Sequence, residues 1–164
     1  MRTVETVYQR MIEYYRGDSH QIQHFAKVHT YSRLIGTLEG LDEETMITLE
    51  MAALVHDVGI KAGMEKYGRG NGKIQEELGP AIAEEMLTEL GVDPERVARI
   101  SYLVGHHHTY TDVEGMDYRI LLEADFLVNL HEEKEPMEGI KKAYDEIFRT
   151  EAGKQIVKTM FDFE

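Results

Sequence analysis

The sequence predicts an all-α fold, and three observations carry that reading. Apolar residues recur at three- and four-residue steps through nearly every segment. Helix-start residues stand before those segments and glycines stand after them. No stretch alternates apolar and polar residues between turn signals, as a half-buried strand would.

The elements follow in order. Val4, Val7, Met11 and Ile12 recur at helical spacing through Tyr15, and Gly17 ends the first helix. Asp18 or Ser19 caps a second, carrying Ile22, Phe25, Ala26, His29, Leu34, Ile35 and Leu38 before Gly40. Asp42 caps a third, whose Glu43 and Glu44 suit the positive end of a helix dipole. That helix runs through Met46, Leu49, Ala52 and Ala53 into Leu54-Val55-His56-Asp57 and breaks at Gly59.

A short piece, Ala62 to Tyr67, precedes a glycine-rich loop over 68–72. From Lys73 the pattern is helical again, with Pro80 expected to open a new turn and Gly91 to end the stripe. Asp93-Pro94-Glu95 starts the next helix, which leads to His106-His107-His108. After a loop over 109–115, helices are expected from Tyr118 to Leu130, from Pro136 to Phe148, and to about Phe161.

A chain of 164 residues is expected to form one domain over 1–164 with a real core. Its 42% hydrophobic and 30% charged residues describe a soluble globular protein. No run approaches the roughly 18 apolar residues of a membrane span, and the first residues lack the apolar region of a secretory signal. The absence of cysteine excludes disulfides, iron–sulfur clusters and thiolate zinc sites, and a cytoplasmic protein is the expectation. The net charge of −13 argues against a nucleic-acid polymer as partner but leaves room for a small anionic substrate. A homodimer is left open.

His56-Asp57 is read two ways: a core histidine followed by an aspartate at a helix end, or a pair of ligands for one divalent cation. Asp125 interrupts an apolar run and needs an arginine or a metal as partner if buried. His20 and His24, one turn apart, read as a solvated pair, with a surface metal as the alternative. The stretch 68–73 is one residue short of a phosphate loop and follows no strand. There is no His-Glu-x-x-His motif, no nucleophile elbow and no catalytic cysteine.

His29, then His56-Asp57, then Asp125 match in order the signature of the HD-domain superfamily of metal-dependent phosphohydrolases. The stretches HDVGIK, EKYG, GPAIAEEML, YLVGHHHTYTD and EADFLVNL resemble its small single-domain bacterial members over roughly residues 24–150. The resemblance implies an all-helical bundle with a central metal site and a phosphohydrolase acting on a small phosphomonoester or nucleotide. The attack would come from a hydroxide formed at the cation. It also admits a metal- or nucleotide-binding regulatory protein with little turnover.

Carried over by position, His29, His56, Asp57 and Asp125 would bind a first ion. His106, His107 and the bridging Asp57 would bind a second. Relatives with two ions use a histidine before the Gly79-Pro80-Ala81-Ile82 stretch; this chain has Glu76 there as an oxygen donor. The expected cofactor is one or two ions of Mn, Fe, Co, Ni, Zn or Mg. Asp57 and Lys61 would serve catalysis, and Arg33 and Lys61 would anchor the phosphate of the substrate.

Overall fold

A computed structural model of the chain describes residues 3–164 and contains nine helices among them. They are α1 (Val4–Tyr14), α2 (Ser19–Leu38), α3 (Glu43–Val55), α4 (Gly59–Tyr67), α5 (Gly72–Glu89), α6 (Pro94–Val104), α7 (Met116–Glu132), α8 (Met137–Glu146) and α9 (Glu151–Phe161). The described residues include no strand, as the helical periodicity requires. No helix among them is long and apolar enough to cross a membrane.

Side-chain oxygens set several of the helix starts. Asp18, Asp42, Asn71, Asp93 and Thr150 each accept a backbone N–H of the first turn that follows. Proline at the first position of α6 loses no hydrogen bond, because that N–H has no intrahelical acceptor.

The bundle is organised around α3 and α7, which pack against each other. α3 is buried without a break from Thr48 to Val55, and α7 buries Ile120 to Asp125 continuously. Helices apolar around their circumference sit inside a bundle rather than on its surface. The outer helices cover them: α2 lies on both, α1 and α6 flank α3, and α9 closes on α7 and α2. The core includes Phe25, Ile35, Leu49, Leu54, Ile100, Leu103, Tyr118 and Phe148, all at most 1% exposed. Burying such side chains stabilises the fold by about 1.5–3 kcal/mol each before the entropy of ordering them is subtracted.

Two boundaries differ from the sequence reading. α4 begins at Gly59 rather than Ala62, directly after the turn that holds His56 and Asp57. α5 runs continuously from Gly72 to Glu89 with Pro80 inside it, where a new turn was expected. Pro80 removes one donor, that facing the Glu76 carbonyl, and the rest of the ladder carries the helix through.

Close helix approach then fixes α5 beside the His-Asp turn. A Cβ on Gly59 would meet the Gln75 carbonyl oxygen at 2.9 Å and the Gly79 nitrogen at 3.0 Å. The start of α4 and the middle of α5 therefore touch backbone to backbone, which only glycine permits. At the other end of the turn, the Tyr15 hydroxyl donates to the Asp57 carbonyl at 2.9 Å and accepts from the Lys61 N–H at 3.2 Å.

Candidate metal centre

α2, α7 and the turns that follow α3 and α6 bring a set of nitrogen and oxygen donors together. His24, His56, Asp57 and Asp125 are all buried, and one ligand atom of each lies within 4.8 Å of the others. The Nε2 atoms of His24 and His56 stand 3.3 Å apart, and each lies 3.2 Å from Asp125 Oδ1. Asp57 Oδ2 completes the group at 3.1 Å from His24 and 3.4 Å from His56. A second group shares the same aspartate: Asp57 Oδ1 is 3.1 Å from His107 Nε2, with His108 alongside.

The far side of each ring fixes its tautomer. His56 Nδ1 lies 2.7 Å from the Ala53 carbonyl, and His107 Nδ1 lies 2.8 Å from the Val104 carbonyl. His24 Nδ1 lies 2.8 Å from Oε1 of Glu132, whose Oε2 accepts from Lys27 at 3.3 Å. All three partners only accept, so each Nδ1 carries the proton and donates. In the neutral rings the Nε2 lone pairs then converge on two carboxylates.

That arrangement demands a positive charge. Burial pulls the His24 imidazole down, but hydrogen bonds to Asp125 and Asp57 outweigh it and raise it to about 11. Burial likewise opposes protonation of His107, and Asp57 still drives it upward. Burial alone would push the Asp57 and Asp125 carboxyls up, yet the His56 charge and hydrogen bonds from neighbouring imidazoles hold both down. Neutral imidazole and carboxylate, with no sulfur, are a fitting donor set for a divalent first-row ion. His24, His56, Asp57 and Asp125 would hold one ion, and Asp57, His107 and His108 a second.

Gln75 enters the second group as an oxygen donor. Its Nε2 donates to the Gly70 carbonyl at 2.7 Å, which turns Oε1 toward His107 at 3.2 Å and His108 at 2.9 Å. Burial, and next the charge of neighbouring His107, hold the His108 imidazole down at about 4. Gln21 donates to Asp57 Oδ2 at 3.2 Å from the first turn of α2.

The structure brings together His56, Asp57, His107 and Asp125 from the sequence-derived set and corrects the others. His29 pairs with Glu50 at 3.0 Å, and His24 takes the α2 position in the cluster. Five residues along a helix turn a side chain through about 140°, so His24 and His29 cannot face one centre. His106 stacks on Tyr102 with its Nδ1 2.7 Å from the Tyr102 carbonyl; His107 and His108 form the inward pair instead.

Glu76 accepts the His108 N–H at 3.0 Å and the Thr109 hydroxyl at 2.8 Å, tying down the histidine loop one position away from Gln75. Arg33 binds Glu50 at 3.2 Å and is 61% exposed. Lys61 donates to the Tyr14 carbonyl at 2.9 Å and lies over the Tyr14 ring. Both candidate phosphate anchors therefore face away from the cluster.

Glu132 was not singled out in the sequence, yet it is what orients His24. Outer carboxylates of this kind set the ring angle and raise ligand basicity. Glu132→Gln is expected to weaken divalent-metal affinity by about 10–100-fold. Competition with a fluorescent chelator would measure it; unchanged affinity would mean that His24 needs no such support.

The donors open on a recess of about 320 Å³, with His20, Gln21, Ile60, Asn129 and Glu133 on its walls.

The fold is shared with a crystal structure described as that of a predicted HD superfamily hydrolase from an uncultured Thermotogales bacterium. The two align with a TM-score of 0.68 and 23% sequence identity, over 97% of this chain and 85% of the other. The chain thus has the HD-domain fold. No protein-family model matches the sequence, and no curated protein matches it.

Proposed function

We propose that this chain is a metal-dependent phosphohydrolase acting on a small phosphomonoester. One observation carries the reading: three imidazole Nε2 atoms, each with its Nδ1 committed to an acceptor, point at the paired carboxylates of Asp57 and Asp125 beneath an open recess. The shared fold is consistent with it.

When bound, a divalent cation supplies Lewis-acid chemistry, acidifying water and offsetting charge on phosphoryl oxygens. The chain's own residues do the rest. His24, His56, Asp57 and Asp125 fix the donors on three separate segments, so the geometry is set by the bundle before any substrate arrives. Asp57 faces one group with Oδ2 and the other with Oδ1, which makes it the shared ligand if two ions bind. Among the described residues, no lysine or arginine lines the recess. The amides of Gln21 and Asn129 and the His20 ring are therefore the protein groups available to orient phosphoryl oxygens and the organic part.

The test is phosphate release from a panel of phosphomonoesters by protein loaded with Mn, Fe, Co, Ni, Zn or Mg in turn. Asp57→Asn is expected to lower kcat/KM by at least about a hundredfold, the loss of a few kcal/mol of barrier stabilisation. Metal-loaded protein that releases phosphate from none of them would favour the regulatory alternative, in which the centre binds without turnover.

A further inference from the structure

The recess above the metal centre continues into a second one of about 420 Å³, and the two share His108, Asn129 and Glu133. The second recess has a different character. Its walls include Phe126 and Tyr110, whose rings meet edge to face at 5.4 Å, backed by the buried Leu130 and Ile147. Phe126, Asn129 and Glu133 lie three and four residues apart, so α7 presents them as one strip. Asn129 stands four residues, about 6 Å of rise, beyond Asp125. Its amide is half-buried and forms no side-chain hydrogen bond among the described residues.

Charge along this path is lopsided. Among the described residues, Glu133, Glu135 and Glu146 line the second recess against a single lysine or arginine, Lys142. Each further phosphate of a polyphosphate chain would need cationic donors to replace its hydration, and this path offers carboxylates in their place. A neutral ring bearing hydrogen-bond groups meets no such penalty. It would gain contact with Tyr110 and Phe126 and a donor and acceptor from Asn129.

From this we infer that the substrate is a monophosphate ester of a ring-bearing alcohol, with its phosphate at the metal centre, its ring against Tyr110 and Phe126, and Asn129 reading the group between them. This rests on the phosphohydrolase reading and narrows its substrate to monoesters with a cyclic organic group, excluding polyphosphates.

Calorimetric binding to the manganese-loaded protein tests it without requiring turnover. The probes are benzylphosphonate, methylphosphonate and tripolyphosphate. Benzylphosphonate is expected to bind about tenfold more tightly than methylphosphonate, the worth of one aromatic contact. Tripolyphosphate should gain nothing over methylphosphonate. Tyr110→Ala, on a half-exposed loop position, and Phe126→Leu should each shrink the benzyl preference toward unity.

Equal binding of the two phosphonates would overturn the inference and leave the phosphohydrolase reading standing. So would tighter binding of tripolyphosphate, or a benzyl preference that survives both substitutions. Failure of both phosphonates to bind metal-loaded protein would overturn the two together.

Discussion

His24→Ala is expected to lose at least about a hundredfold in manganese affinity, while His29→Ala binds manganese as the unaltered chain does. Removing an outer-sphere partner of a ligand already costs about 10–100-fold, and His24 is itself placed as a ligand. The contrast follows from the opposed directions of the two side chains on α2: His24 Nε2 faces His56 and Asp125, and His29 Nε2 faces Glu50. Melting curves give a second readout. Metal at a hundred times its dissociation constant stabilises the folded state by about 2.7 kcal/mol. For a chain of this size each kcal/mol moves Tm by about 2–4 °C. Manganese should thus raise Tm of the unaltered chain and of His29→Ala by several degrees and leave His24→Ala unmoved. The reverse pattern would return the α2 ligand to His29.

The second large effect lies away from the centre, at Glu123. This carboxylate is fully buried in α7 and accepts three hydrogen bonds from the start of α9: the N–H groups of Arg149 and Thr150 at 2.8 and 3.0 Å, and the Thr150 hydroxyl at 2.6 Å. Burial pushes its carboxyl up, and those donors oppose the shift. A Cβ on Gly153 would land on the Glu123 carboxylate, so the first turn of α9 is shaped around it. Glu123→Ala strands three donors in the interior at about 1–3 kcal/mol each. A loss of about 4 kcal/mol in thermal or urea unfolding is expected, with Glu123→Gln recovering a part of it because its carbonyl still accepts. An alanine variant within about 0.5 kcal/mol of the unaltered chain would show that Glu123 does not hold α9 in place.

Much of the fold was legible because caps and periodicity are local signals. Asp18, Asp42 and Asp93 stand at helix starts, and the apolar runs that follow pack as their spacing requires. Pro80 was not legible: whether a helix absorbs one missing hydrogen bond depends on what packs around it, here Gly105 against the proline ring. The errors at the site have a common cause. A signature of residue types gives order along the chain, but the direction of a side chain changes by about 100° per residue.

The buried stripe of α2 held the missing signal for His24. Phe25, Val28, Ser32 and Ile35 face the core, and His24 lies on that side. On α5, Gln75, Gly79, Ala83 and Leu87 fall at four-residue steps on the buried face. That pattern selects Gln75 over Glu76, although carboxylate is the more familiar ligand. The contribution of Glu132 to His24 had no such signal, because it depends on the crossing of α2 and α7 and on residues 108 positions apart.

The junction of α2, α3 and α7 is expected to hold one ion. Anomalous scattering from crystals soaked in manganese tests it most directly. A strong peak is expected within about 2.0–2.3 Å of His24 Nε2, His56 Nε2 and an oxygen each of Asp57 and Asp125. A peak beside His29 and Glu50, or no peak among these four residues at saturating manganese, would contradict it.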